Sequence, residues 1–308
     1  MRIFSKIALI FIFSFTISHA NDRVDLDIRL EPKSKKNFYS LKLNLESKES
    51  VLFGDITYKI VRSENELFVD EYYDTKLHSL SSKKSSLRYR KRFINGKLEK
   101  DLIQFKTQKN KQKMEGMKEF KLELDSDEIL TSLNDVKKYI NKPKNQNSKF
   151  NNELKNYVSI YRLEQIFSAT QYRDRFYLKD KDEKTIYTIS FDEVIYSKDL
   201  LKKSYLVIEF EVNETIMATS NKISAKLVRD LNEFIKSLDK ENILYKRVYD
   251  SKYDVGIKKL GIKPRNENII ETILVFLSLV FIIFLFIKSI FSRNFKQKDL
   301  LKQYETNN

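Results

Sequence analysis

The chain has 308 residues, a formal net charge of +15, no cysteine, two histidines and five glycines. Without cysteine there is no disulfide and no thiol chemistry, and two histidines, one of them at position 19, are too few for a histidine metal cluster or a Ser-His-Asp triad. The five glycines form neither a glycine-rich phosphate loop nor a dinucleotide-binding pattern, so any catalysis must run on carboxylates, Lys, Arg and metal ions, while the charge suits an anionic partner: a phosphate chain, nucleic acid or anionic lipid.

In chain order, Arg2 and Lys6 precede an apolar run from Ile7 to Ile17 that closes on Ser18-His19-Ala20. A positive start, a short apolar core and small-x-Ala predict a secretory signal peptide over 1–20, cleaved after Ala20; an uncleaved N-terminal anchor is the other reading. Residues 21–266 then form one large exported domain. Strands are predicted at Val24 to Leu30, Phe38 to Leu45, Leu67 to Asp74, Ser86 to Phe93, Leu102 to Thr107, Glu119 to Leu124, Gln171 to Leu178, Thr185 to Ile195 and Tyr205 to Val212. All alternate with period two and carry β-branched or aromatic residues.

A helix is predicted from Asp125, with Glu128 completing a capping box and Ile129, Leu133, Val136 and Ile140 at helical spacing. A second runs from about Ser220 to Leu238, and a third, weaker one follows Ser50. The polar stretch Asn141 to Asn152 reads as a loop. Residues 267–288 hold an uncharged apolar run, Thr272 to Ile287, and predict one transmembrane helix. The basic tail 289–308 then lies in the cytoplasm and touches anionic lipid, with the exported domain on the other side.

Many strands alternate apolar residues with charged ones. Arg88 and Arg90 share a face, as do Glu119, Lys121 and Glu123, Arg173 and Arg175, and Glu209 and Glu211. An ordinary half-exposed sheet with solvated charges does this too. Repetition over so many strands favours an α+β fold built on an antiparallel β-barrel with a charged lumen and a few flanking helices. A lumen lined by Arg and Lys calls for an anion with many oxygens, such as a phosphate chain, and inward carboxylates suit Mg²⁺ or Mn²⁺.

Several motifs occur in a particular order. Tyr72-Tyr73-Asp74-Thr75 is followed by Leu87-Arg88-Tyr89-Arg90-Lys91-Arg92, then Ile103-Gln104-Phe105-Lys106-Thr107 and Glu119-Phe120-Lys121-Leu122-Glu123. Arg173 and Arg175, Ile189 to Val194, Ile208-Glu209-Phe210-Glu211-Val212 and finally Ser251-Lys252-Tyr253 with Gly256 complete the series. In this order they resemble the triphosphate tunnel (CYTH-like) superfamily over roughly residues 38 to 262; polyphosphate-polymerase domains of the VTC type share much of the layout. The resemblance implies a β-tunnel gripping triphosphate, polyphosphate or a similar polyanion, with Arg88, Arg90, Lys106, Arg173, Arg175 and Lys252 on phosphate. It also implies metal ligands at Glu209 and Glu211, supported by Asp192 and Glu123, with Mg²⁺ or Mn²⁺ as cofactor.

Two departures bear on hydrolysis. The family's first strand carries E-x-E-x-K, whereas the strand predicted at Ser40 to Glu46 lacks the acid pair. Asp25-Leu26-Asp27-Ile28-Arg29 has equivalent chemistry but stands far upstream of Tyr72, unless an insertion follows it. Lys121 takes a place where the family tends to have an acid. Two functions therefore stand side by side: a metal-dependent hydrolase of phosphate chains, and a non-enzymatic polyanion sensor or membrane-complex scaffold with a degenerate metal site. Nucleic-acid binding through Lys and the many aromatics is a third reading, opposed by the exported compartment.

Overall fold

The computed structural model describes residues 23–25, 27–108, 117–125, 128–213, 221–239, 243–263, 276–285 and 288. The predicted signal peptide, the tail after 288 and half of the predicted transmembrane segment lie outside the described residues.

Twelve strands form one antiparallel sheet: β1 (Arg23–Asp25), β2 (Asp27–Pro32), β3 (Ser50–Phe53), β4 (Ile56–Arg62), β5 (Glu66–Asp74), β6 (Ser86–Ile94), β7 (Lys97–Gln108), β8 (Met117–Glu123), β9 (Glu164–Lys179), β10 (Thr185–Lys198), β11 (Leu201–Val212) and β12 (Tyr245–Val248). The main path runs β1-β8-β7-β6-β5-β9-β10-β11-β2-β12, and the β3–β4 hairpin joins β9 through β4. This corrects the expectation of a closed barrel. Among the described residues no single strand completes a ring of ladders. Residues 23–25 pair with β8, while 27–30 pair with β11 and 29–32 give their other edge to β12. The sheet is thus curled, and its two ends meet consecutive segments of the chain.

Helices cover the outer face. On one side α1 (Lys35–Glu46) and the later α6 (Asn221–Leu238) pack Phe38, Leu41, Leu45, Leu227 and Leu231 on Ile189, Phe191, Ile208 and Phe210. On the other, α3 (Leu133–Ile140), α4 (Pro143–Gln146) and α5 (Lys149–Lys155) cover Leu87, Ile103, Phe105 and Phe120 with Val136, Ile140, Phe150 and Leu154. A one-turn α2 (Ser79–Ser82) follows β5, and α7 (Lys252–Leu260) ends the domain. Tyr253, Val255 and Leu260 of α7 cluster with Tyr72, Val194, Tyr196, Tyr205 and Val207. In their strands these five stand on the face of Asp70, Asp192 and Glu209, so α7 fills one end of the curled interior.

Four local expectations are corrected. Phe38 to Leu45 is helix, not strand: Ser34 caps α1 through the Asn37 amide, and Phe38, Leu41 and Leu45 are the buried residues, at helical spacing. The segment after Ser50 is the β3–β4 hairpin, turned at Gly54 with φ +56°. The helix foreseen from Asp125 begins at Leu133, where Ser132 caps it. Asp125 and Glu128 instead pair with Lys144 and Lys142, and those lysines belong to the stretch expected as a loop, which forms α4 and α5 with Ser148 capping the latter.

Among the described residues no helix is long and apolar enough to cross a membrane. Within the predicted span, 276–285 is helical and its apolar side chains are exposed.

Candidate functional site

The inner face of the sheet carries rows of charge because β-alternation sends every second residue there. Glu66, Phe68, Asp70 and Tyr72 come from β5, Arg88, Arg90 and Arg92 from β6, and Gln104 and Lys106 from β7. Opposite them stand Gln171, Arg173 and Arg175 of β9, Asp192 of β10, Glu209 and Glu211 of β11, and Asp27 and Arg29 of β2. Between them lies a cavity of about 390 Å³, lined by eight cationic side chains and two carboxylates, Glu119 and Glu211. A smaller one of about 90 Å³ adjoins it beside Ser251, Lys252 and Tyr253.

Each buried guanidinium is answered by a carboxylate on a neighbouring strand. Asp70, opposite Arg90 in register, accepts from Arg90 Nε and Nη2 at 2.6 Å each and from Arg88 Nη1 at 3.2 Å. Arg173 makes the same fork to Asp192 at 2.6 Å and 2.6 Å, and reaches Glu209 at 2.5 Å. Lys252, brought in by α7, donates to Asp192 at 2.5 Å, to Glu209 at 3.1 Å and to Gln171 at 3.2 Å. Further along, Glu66 pairs with Arg92 at 2.9 Å and Arg175 at 3.2 Å. Removing such charges from water is costly, and bidentate geometry with complementary charge is what offsets it.

The electrostatic balance differs from group to group. Burial pushes the Asp70 carboxyl up, but Arg88 and Arg90 outweigh it and hold the group below the usual carboxylate range. Glu209 is held well below that range against its burial by Lys252, Arg173 and Arg29. Glu211 goes the other way: burial raises it, Arg173 opposes, and the negative charges of Glu209 and Asp27 add to the rise. Burial also depresses the Lys252 ammonium, against the pull of Asp192 and Glu209.

Of the phosphate-binding residues expected from sequence, Arg88, Arg90, Lys106, Arg173 and Arg175 line the large cavity, and Lys252 lines the smaller one together with Arg88, Arg90, Lys106 and Arg173. The expected metal ligands are less united. Glu209 and Glu211 reach the cavities, Asp192 is fully buried between Arg173 and Lys252, and Glu123 leaves the interior where β8 ends, exposed and paired with Lys100. Among the described residues no group of three or more Asp, Glu or His side chains could hold a metal ion. The reason is visible in the pairs: Glu209, Asp192 and Asp27 are each already engaged by arginine or lysine. The described residues do not fit a divalent cation held by protein ligands.

Sequence reasoning missed Asp70, Glu66, Arg92 and Arg29. For Glu66 and Asp70 the signal was the period-two series Glu66, Phe68, Asp70, Tyr72 of β5, for Arg92 the continuation of Arg88 and Arg90 on β6, and for Arg29 the segment Asp25 to Arg29 that looked too far upstream. The first strand is also corrected. The segment Asp27-Ile28-Arg29 takes the place beside β11, with Asp27 opposite Glu211 and Arg29 opposite Glu209, while Lys42 of α1 pairs with Asp174 outside the cavity. Helix α1 and the β3–β4 hairpin are the insertion that separates this strand from Tyr72.

These features define a curled antiparallel α+β sheet around a cationic cavity. No protein-family model and no curated protein matches the sequence. Among solved structures the chain is similar to a candidate adenylate cyclase from Bacillus halodurans, with 17% identity and a TM-score of 0.48 over 76% of this chain and 97% of that one. It is similar to a candidate adenylyl cyclase from Hippeastrum with a dominant triphosphatase activity, at 16% identity and TM-score 0.47 over 76% and 95%. It is also similar to an RNA triphosphatase from S. pombe, at 8% identity and TM-score 0.37 over 70% and 85%.

Proposed function

We propose that the domain binds inorganic triphosphate, polyphosphate or a similar phosphate chain inside the curled sheet. The observation that carries this is the cavity lining, with eight cationic side chains against two carboxylates on the walls of one cavity. A chain of phosphates supplies closely spaced anionic oxygens for guanidinium forks, and its charge adds to the compensation that the carboxylates behind the wall provide. Asp70, Asp192, Glu209 and Glu66 hold the arginines in place, so the donors are organised before the ligand arrives.

This reading is one of binding, with no step routed through a metal, because Asp70, Asp192 and Glu209 are committed to Arg and Lys. Membrane attachment through 267–288, export by the leader over 1–20 and a cytoplasmic tail belong to the same proposal. They are supported by the apolar runs in the sequence and by the exposed apolar side chains of 276–285. The test is competition on the full-length protein between tripolyphosphate and orthophosphate at equal phosphorus. A tunnel for chains favours tripolyphosphate strongly; equal competition would reject it.

A further inference from the structure

One end of the domain carries a projecting turn with an apolar tip. The β10–β11 hairpin turns at Asp199, φ +52°, and Leu200 beside it is 100% exposed. Leu201 is exposed as well, and Lys198, Lys202 and Lys203 flank the pair, all exposed. Turn positions ordinarily carry polar residues, so two leucines at a projecting tip call for an apolar partner.

Strand register places other exposed apolar groups at the same end. Ser168 pairs with Ser197, and Asp74 with Glu164, so the close of β5 and the start of β9 lie beside this hairpin. Leu77, just after β5, and Tyr161, just before β9, are exposed there at 42% and 80%.

The chain also leaves the domain at this end. Helix α7 begins beside Asp192, where Lys252 bonds, and passes Tyr196, which sits 3.0 Å from where a Cβ on Gly256 would lie. It reaches Tyr205 with Lys259, 5.0 Å from the ring centre, and closes at Gly261. Tyr196 pairs with Lys203 and Tyr205 with Val194, so the helix lies across the half of the β10–β11 hairpin nearer its tip. The described domain ends at Lys263, and the span proposed above starts at 267. The four Cα–Cα steps from 263 to 267 cover at most about 14 Å, which keeps this end near the bilayer surface.

We infer that the β10–β11 tip, with Leu77 and Tyr161 beside it, is a docking surface for an anionic lipid bilayer, Leu200 and Leu201 entering the interface and Lys198, Lys202 and Lys203 meeting headgroups. This rests on the membrane attachment proposed above. It also sets the orientation of the cavity. Arg92, Lys100 and Val212, lining the large cavity, stand at the strand ends remote from the tip, whereas α7 fills the near end. Ligand therefore enters from the side facing away from the membrane.

The chain has no cysteine, so a single introduced one is a unique label site. Full-length protein is labelled with NBD at Leu200→Cys, at Leu98→Cys on the remote β6–β7 end, or at Leu279→Cys in the apolar helix. Each is reconstituted into vesicles of phosphatidylcholine alone, or of equal parts phosphatidylcholine and phosphatidylglycerol, with and without doxyl-labelled lipid. A blue shift and doxyl quenching are expected at 200 and 279 and not at 98, with the signal at 200 stronger in the phosphatidylglycerol vesicles. Quenching at 279 with an aqueous spectrum at 200 would overturn the docking surface and leave the attachment standing. An aqueous spectrum at both would overturn both. Equal quenching at 98 and 200 would overturn the orientation.

Discussion

The Tyr253 hydroxyl donates to Asp74 Oδ2 at 2.8 Å, joining helix α7 to the end of β5 across 179 positions of sequence. Asp74 is fully buried and also accepts from the amides of Thr75, Leu80 and Ser81, so one carboxylate closes the turn after β5, seats α2 and fixes α7. Helix α7 in turn delivers Lys252 to Asp192 and Glu209. Two of the motifs that stood out in the sequence, Tyr-Asp-Thr and Ser-Lys-Tyr, therefore act on each other.

Tyr253→Phe is expected to cost about 1.5–3 kcal/mol, the value of a hydrogen bond to a charged group. For a domain of this size that is a drop in Tm of several degrees, read by calorimetry on the full chain. Tripolyphosphate affinity is expected to fall as well, because α7 is released.

Acid stability follows from Asp70 and Glu209. Both carboxyls titrate below their ordinary values in the folded state, so their contribution is complete above the unfolded values of about 4 and is lost as pH falls through the lower, folded ones. The share of stability owed to these two groups, read as the difference between the parent chain and their amide variants in denaturant unfolding, should be constant above that range and fall below it. Asp70→Asn is expected to destabilise by about 3–5 kcal/mol at neutral pH, because Arg88 and Arg90 lose their shared partner, and to flatten the acid limb.

Glu211 carries the opposite sign. Its folded value lies above its unfolded one, so its ionisation costs stability once pH passes the unfolded value, and fully above the folded one. Glu211→Gln is expected to raise Tm at neutral pH and leave it unchanged in acid. It is also expected to tighten tripolyphosphate binding, since one of the two cavity carboxylates is gone.

Arg175→Ala and Arg88→Ala test the two halves of the wall. Each removes a fork donor, with an expected loss of about 1.5–3 kcal/mol in binding, roughly ten- to a hundredfold in Kd. A titration series in rising salt should show a shallower slope for both variants than for the parent chain.

Much of this site was legible in the sequence where a strand has one wet, charged face and one apolar face. Arg88 and Arg90, Arg173 and Arg175, and Glu209 and Glu211 could be assigned to a shared face by alternation alone. The reading failed at Phe38 to Leu45, where Phe38, Leu41 and Leu45 satisfy a helix as well as Leu41, Leu43 and Leu45 satisfy a strand. Only packing on Phe191 and Ile208 decides between them. That error hid the first strand, since Asp27 and Arg29 looked too remote while α1 and β3–β4 were unrecognised as an insertion. Glu123 was misplaced for a simpler reason: alternation gives the face of a residue but not where the strand leaves the interior. Partners across strands, such as Asp70 with Arg90 and Asp192 with Arg173, depend on register and could not be read from one chain.

The most direct measurement is a calorimetric titration of the full-length protein with tripolyphosphate, once in EDTA and once with excess Mg²⁺. Arg and Lys holding the chain by themselves predict binding in EDTA, weakened when Mg²⁺ neutralises the ligand and lost progressively with salt. Binding that appears only when Mg²⁺ is present, or no binding in either buffer, would contradict a cavity that grips phosphate chains through its own cations.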